Sequence, residues 1–189
     1  LMYPEGDTSV PPSAKMPKAS YFFDAIIRQE PIEEARLDPK DNLEEYSVMG
    51  RETREYFRKA AEEAAATGRG TIINIGGMHL GNIAMVPGNA LKHPKGIRDV
   101  AEWYMSIITR PDYLHEVFDR QTDIAVENLA KVKEVTGDHV DAVYMCGTDF
   151  GTQDSSFCSV ETYDELFLPY YRKMNDWIHA NTRWKTFKH

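Results

Sequence analysis

The sequence predicts an α/β fold whose strands run parallel to one another. Short runs rich in β-branched residues, 70–77 and 140–146, are each followed by longer segments with the apolar spacing of amphipathic helices. A third strand begins at Trp184, after another helical segment. This alternation predicts right-handed crossovers between parallel strands, and it fits either an open sheet or a (β/α) barrel.

Composition places the chain among globular proteins and argues against several functions. It has 189 residues, of which 42% are hydrophobic and 28% charged, so it is neither collagen-like nor wholly disordered. A formal net charge of −8 argues against sequence-independent binding to nucleic acid or to anionic membranes. No apolar run approaches the ~18 residues that span a bilayer. The two cysteines, Cys146 and Cys158, form no metal-binding pair, which favours reduced thiols and a cytoplasmic protein.

The first third of the chain leads from loops into a helix. Residues 1–42 are rich in proline and polar residues, which predicts a loop-rich arm and connection. The aromatic run 21–23 within it is expected to be buried. Glu, Arg, Lys and Ala dominate the next segment and predict a helix over 43–67, with a break near Gly50 and a stop signal at Gly68.

The middle of the chain predicts one strand, one loop and two helices. Residues 70–77 form a continuous apolar run, which favours a strand covered on both faces. Residues 78–96 are expected to form a long loop, because glycine and proline recur there. Helices follow over 97–109 and 112–136, the second opened by Pro111. Their expected buried stripes are Ile97, Val100, Ala101, Tyr104, Met105 and Ile108, then Leu114, Val117, Phe118, Ile124, Ala125, Leu129, Val132 and Val135.

The last third repeats the order of strand, loop, helix and strand. Residues 140–146 form the second predicted strand, and 147–158 form a polar loop. Ser159 is a good N-cap for a helix over 160–180. Pro169 should kink that helix, because proline lacks a backbone donor.

Polar residues follow both internal strands, where parallel α/β folds bind their ligands. The glycines of segment 76–82 allow close approach to its backbone, although the segment does not fit a dinucleotide-binding pattern. His79 in this segment either faces a substrate or is satisfied within the loop. In loop 147–154, Asp149 can hold a proton, a cation or a polar substrate group. Alternatively, Asp149 and Asp154 only form turns or cap the next helix. On spacing alone, His189 is a terminal histidine.

Several segments spread over nearly the whole chain carry a resemblance to a known family. They are DFGTQ over 149–153, SVE over 159–161, FLPY over 167–170, WIH over 177–179, GGMHLGNIAMVPG over 76–88, PDYLHEVFDRQTD over 111–123 and KMPKASYFFD over 15–24. Together they resemble the uroporphyrinogen decarboxylase superfamily. The resemblance implies a (β/α)8 TIM barrel, which takes roughly 200–250 residues. Residues 1–189 are therefore expected to be an internal fragment, a single partial barrel domain that associates when expressed alone.

The superfamily that these segments resemble has two chemistries. Its decarboxylases bind a tetrapyrrole and use no cofactor. Its methyltransferases use a zinc ion, held by a His-x-Cys pair and a distant Cys, to activate a thiol that accepts a methyl group from a corrinoid. Met85 stands where the decarboxylases have a tyrosine, and segment 186–189, TFKH, resembles the start of the methyltransferase motif Phe-x-His-Ser-Cys-Gly. Both features favour the methyltransferase-like branch.

The resemblance also implies roles for particular residues. Asp149 is the expected catalytic residue, and Gln153 lines the barrel mouth. His79 and Asn82 face the substrate or corrinoid, and His189 is a zinc ligand in the intact protein. Thr148 replaces the first acid of the Asp-Asp-Phe-Gly-Thr-Gln pattern typical of this branch.

Two alternatives to methyl transfer stay open. The first is uroporphyrinogen decarboxylation, with Asp149 near the residue that contacts the tetrapyrrole. The second is a non-catalytic barrel that carries a corrinoid or tetrapyrrole without turning it over. The expected partners are a small-molecule ligand, a corrinoid protein and further copies of the chain.

Overall fold

The computed structural model describes residues 1–188, the side chain of Cys146 excepted, and has a mixed α/β fold. Within these residues the chain forms five α-helices, a three-stranded sheet and a two-stranded ribbon. It divides into two compact units. The first consists of 1–45 and 81–117, and the second of 46–80 and the chain from Phe118 onward.

The first unit contains little regular structure. Strands β1 (Ala14–Lys15) and β2 (Asp24–Ala25) pair antiparallel, and the rest of segment 1–45 is irregular apart from three short 3-10 turns. Helix α2 (Val100–Thr109) begins at Asp99, whose carboxylate accepts hydrogen bonds from two backbone N–H groups of the first turn. Helix α3 (Pro111–Thr136) starts in this unit and continues into the second.

A buried arginine connects the loops of the first unit. The Arg98 side chain is 2% exposed and forms an ion pair of 2.8 Å with Glu45. It also donates to the backbone carbonyls of Lys95 at 2.5 Å and Asp41 at 2.6 Å. These partners compensate the desolvation of the guanidinium, so loops distant in sequence share one buried charge.

Two sequence predictions about the first unit are wrong. The aromatic run 21–23 is exposed, Tyr21 by 93%, in the connection between β1 and β2. In α2 the buried residues are Trp103, Ser106 and Ile107, while Met105 and Ile108 face solvent. Both stripes of α2 have helical spacing, but the buried stripe contains Trp103, whose indole removes the largest apolar area from water.

The second unit holds the parallel sheet that the sequence predicts. Strands β3 (Ile72–Asn74), β4 (Ala142–Cys146) and β5 (Lys185–Lys188) lie side by side in chain order, and each neighbouring pair is parallel. Ile73 aligns with Val143, and Val143 with Thr186. The carboxyl ends of all three strands therefore lie along one edge of the sheet.

The helices of the second unit begin and end at local signals. Helix α1 (Arg51–Ala65) starts directly after Gly50, so the predicted break is where the helix begins. The helix predicted over 160–180 is divided into α4 (Val160–Leu166) and α5 (Leu168–Asn181), which meet at Phe167, two residues before Pro169. Pro169 lies in the first turn of α5, where a missing N–H leaves no helical hydrogen bond broken.

The sheet buries one face within the described residues. Ile73 and Ile75 are buried, as are Val143 and Met145. The prediction that β3 is covered on both faces is wrong, since Ile72 is 64% exposed. With Phe187 of β5 and a half-buried Tyr144 of β4, Ile72 makes the opposite face partly apolar.

Over residues 1–188, the structure contains no helix that is both long enough and apolar enough to cross a bilayer.

Replacing Arg98 by Met should lower the free energy of unfolding by about 3–5 kcal/mol, because Glu45 would keep a buried charge without its partner. Urea denaturation measures the change. Arg36→Met is the matched control, since Arg36 pairs with Glu33 in solvent, at 78% and 61% side-chain exposure. Its loss should stay below about 1 kcal/mol. Equal losses in the two variants would contradict the role assigned to Arg98.

Candidate functional site

The candidate site lies in the second unit, where loops leave the carboxyl ends of β3 and β4. The loop after β3 carries His79, and the loop after β4 carries Thr148 and Asp149. The sequence predicts both loops as ligand-binding segments because of this position. Their geometry depends on hydrogen bonds that the sequence pattern alone does not indicate.

A buried chain of hydroxyl groups joins the two loops to helix α5. The Tyr171 hydroxyl donates to Thr148 Oγ1 at 3.1 Å, and Thr148 Oγ1 donates to the Leu80 carbonyl at 2.8 Å. Thr148 is 7% and Tyr171 4% exposed. Buried hydrogen bonds between neutral groups are directional and costly to leave unmade, so this chain sets the spacing of the two loops.

His79 presents a neutral imidazole at the first loop. Its Nε2 lies 3.1 Å from Asn74 Oδ1, and an amide oxygen only accepts, so Nε2 is assigned the proton. Burial lowers the pKa of the ring, which also favours the neutral form. Nδ1 is then an acceptor, and this buried atom has no hydrogen-bond partner among the described residues. An unpaired buried acceptor costs free energy, so a donor that reached Nδ1 would be favoured there.

A buried side-chain amide forms hydrogen bonds with the backbone of the His79 loop. Gln121 of α3 is 2% exposed, and its Nε2 donates to the Gly77 carbonyl at 2.8 Å and to the His79 carbonyl at 3.3 Å. Gly77 adopts a φ of +96° where the loop passes Ala125, and glycine is the residue that tolerates this conformation. A polar residue within the apolar stripe of α3 is the sequence signal that could have revealed Gln121.

Aromatic side chains extend from His79 across the open face of the sheet. The centroid of the Tyr144 ring lies 6.0 Å from that of His79 and 5.6 Å from that of Phe187. Phe187 is 53% exposed. The imidazole therefore stands at one end of an aromatic row that can support a flat ligand.

Asp149 and Gln153 are exposed on the loop after β4. A turn at 151–156 shapes this loop, with Thr152 Oγ1 accepting from the N–H groups of Asp154 and Ser155. Ser159 caps α4 by accepting from Thr162 N. Thr152 and Ser159 thus provide side-chain hydrogen bonds at the turn and at the start of α4.

Asn82 belongs to the first unit. Its Oδ1 accepts from Ala84 N at 2.9 Å, and its carbonyl accepts from Met85 N and Val86 N. These bonds give Asn82 a turn-forming role. Of the predicted site residues, the structure links the loops of His79 and Asp149, with Gln153 further along the second loop.

The predicted zinc ligand, His189, lies outside the described residues. Over residues 1–188, no group of three or more His, Cys, Asp and Glu side chains is placed to hold a metal ion. The donors of a zinc site are thus not found in the described part of the chain.

Comparisons with known proteins return no relative. No family model matches the chain, and neither the curated proteins nor the solved structures contain a match to it.

Replacing Thr148 by Val should lower the free energy of unfolding by about 1–3 kcal/mol, because valine keeps the shape but cannot donate to Leu80 or accept from Tyr171. Thr148→Ser keeps the hydroxyl and should retain most of that stability. Urea denaturation of both variants tests the hydroxyl chain. A valine variant as stable as the serine variant would show that the shape of the side chain matters and its hydroxyl does not.

His79 should make stability depend on pH. Its folded pKa lies below the value of 6.5 expected when unfolded, so the unfolded state binds more protons between the two values. The free energy of unfolding should therefore fall as the pH drops below about 6.5. His79→Gln should remove this part of the slope in urea titrations, whereas His139→Gln, at an exposed site in the same unit, should retain it. Identical slopes in both variants would exclude His79 as the source.

Proposed function

We propose that the chain is part of a (β/α)8-barrel enzyme of the uroporphyrinogen decarboxylase superfamily, of its methyltransferase-like branch. Its reaction would move a methyl group between a corrinoid and a thiol or similar acceptor. One observation carries the proposal. Three parallel strands lie in chain order, and the loops of His79 and Asp149 leave their shared carboxyl edge, joined through Thr148. Barrel enzymes place their active sites at this edge.

The positions of the resembling segments support this proposal. Segment 76–88 follows β3, segment 149–153 follows β4, and segment 167–170 contains the junction of α4 and α5. Strands that neighbour each other in chain order are the arrangement a barrel requires. Thr148, where the family pattern has an acid, keeps a polar side chain within this constellation.

The proposed roles follow from the chemistry of each side chain. His79 accepts a hydrogen bond from the ligand through Nδ1, while Asn74 and Gln121 fix the ring and its loop. Asp149, exposed beside the fixed Thr148, exchanges a proton with the reacting group. Gln153 offers an amide to the ligand from the same loop. Asn82, in the first unit, forms a turn and is given no ligand here.

The corrinoid is a large, mostly flat ring with a polar rim. The exposed Phe187, the neighbouring Tyr144 and the unpartnered Nδ1 of His79 support this choice of ligand, because they place aromatic rings and an acceptor side by side. When bound, the corrinoid supplies the methyl group. A corrinoid protein is accordingly the proposed partner, in the cytoplasm.

Zinc has weaker support. The family resemblance gives His189, outside the described residues, as one ligand, and residues 1–188 contain no group of three donors placed to hold a metal ion. The proposed roles of Asp149 and His79 do not depend on zinc.

In the full gene product, Asp149→Asn should lower the rate of methyl transfer from methylcobalamin to small thiols by roughly 100-fold or more. Its melting temperature should equal that of Asp154→Asn, which is the matched control variant on the same loop. Absorbance of the corrinoid follows the reaction. Parallel loss of rate and melting temperature would instead make Asp149 a structural residue.

Incubating the same protein with uroporphyrinogen tests the two alternatives, a decarboxylase and a non-catalytic carrier. Decarboxylated product without methyl transfer would place the protein with the decarboxylases. Tight binding of a corrinoid or tetrapyrrole without turnover of either would make it a carrier. Absence of both binding and turnover would contradict the proposed function as a whole.

A further inference from the structure

The ammonium group of Lys188, at the end of β5, lies among three aromatic rings. Its Nζ is 3.9 Å from the ring centroid of Tyr171, 4.9 Å from that of Tyr163 and 5.6 Å from that of Phe150. All three distances are within the ~6 Å over which an aromatic face attracts a cation. We call Phe150, Tyr163 and Tyr171 the aromatic cage.

Within residues 1–188, aromatic rings and no carboxylate surround the ammonium group of Lys188. Lys188 Nζ donates to the Tyr163 hydroxyl, and within residues 1–188 it forms no ion pair with an acid. The negative faces of the rings therefore provide the attraction. An environment of this kind favours cations that are weakly hydrated and need few hydrogen bonds, such as methylated ammonium groups, over strongly hydrated ones.

Contacts that do not involve Lys188 also hold the rings in place. Phe150 packs edge-on against Tyr163, with 5.1 Å between centroids, and against Phe167, with 5.0 Å. Tyr171 is buried and donates to Thr148. Lys188 itself is exposed and reaches the cage by a flexible stem. The walls should thus persist when the ammonium group leaves.

We propose that the aromatic cage is a binding site for the methylated or quaternary ammonium group of a small molecule, and that Lys188 is its internal competitor. The proposal is independent of the methyl-transfer function, because it rests only on the rings and on the charge they surround. Binding requires Lys188 to swing into solvent, so the side chain sets the affinity of the site.

Choline is a suitable probe, and 3,3-dimethylbutan-1-ol is its uncharged equivalent of the same shape. Lys188→Met removes the competing charge and should bind choline about tenfold more tightly than the unmodified chain does. The neutral alcohol should bind no better than before. NMR titration of the protein measures both affinities, and thermal melting confirms folding.

Two further variants make the test specific. Lys185→Met, on the same strand, should leave choline binding unchanged. Adding Tyr163→Leu to Lys188→Met should abolish the gain, because it removes one wall. If choline binds the Lys188→Met chain no better than the neutral alcohol does, the cage only packs the lysine stem, and the proposal is wrong.

A second measurement uses the unmodified sequence and does not depend on any variant folding. Reductive methylation with ¹³C-formaldehyde converts lysines to dimethyl-lysines, which keep their charge. The Lys188 methyl signal should appear upfield of the other lysine methyl signals, because the cage rings shield it. If every methyl signal lies at the position of exposed dimethyl-lysine, the cage does not retain a methylated cation, which would also overturn the proposal.

Discussion

The arrangement of the second unit depends on one buried chain of hydrogen bonds, from Tyr171 through Thr148 to the Leu80 carbonyl. Loops that leave adjacent parallel strands have no ladder hydrogen bonds to hold them together beyond the sheet edge. The threonine hydroxyl replaces that ladder, since it donates to one loop and accepts from a helix. Both the candidate catalytic loop and the aromatic cage take their positions from this hydroxyl, because Asp149 follows Thr148 and Tyr171 is a cage wall.

Local signals explain how much of the fold could be predicted from the sequence. Ser159 and Pro169 act on backbone groups within a few residues, so their effects on α4 and α5 can be predicted from the sequence. The buried face of α2 could not be predicted in this way, because Met105 and Trp103 belong to two stripes that have the same helical period. Only tertiary packing decides between them, and this information is distributed over distant parts of the chain.

For the candidate site too, the sequence predicts features that depend on local position but not those that depend on long-range contacts. His79 and Asp149 could be predicted because each follows a strand in an alternating α/β pattern. The protonation of His79 depends on Asn74 and on burial, and the support of its loop depends on Gln121 of another helix. The cage could not be predicted either, because it joins Lys188 to rings from a loop and two helices. Residue types show what a side chain can do, whereas long-range contacts determine which of those abilities it has.

The order of the two units along the chain limits how they can be separated. The backbone passes from one unit to the other after Glu45, after Leu80 and again after Val117, the last time within α3. Neither unit is therefore a continuous stretch of sequence, and no single truncation releases either of them whole. Producing the second unit alone would require an artificial linker between Leu80 and Phe118, together with a new start for the interrupted helix. The chain is better suited to study as one piece than to dissection by limited proteolysis.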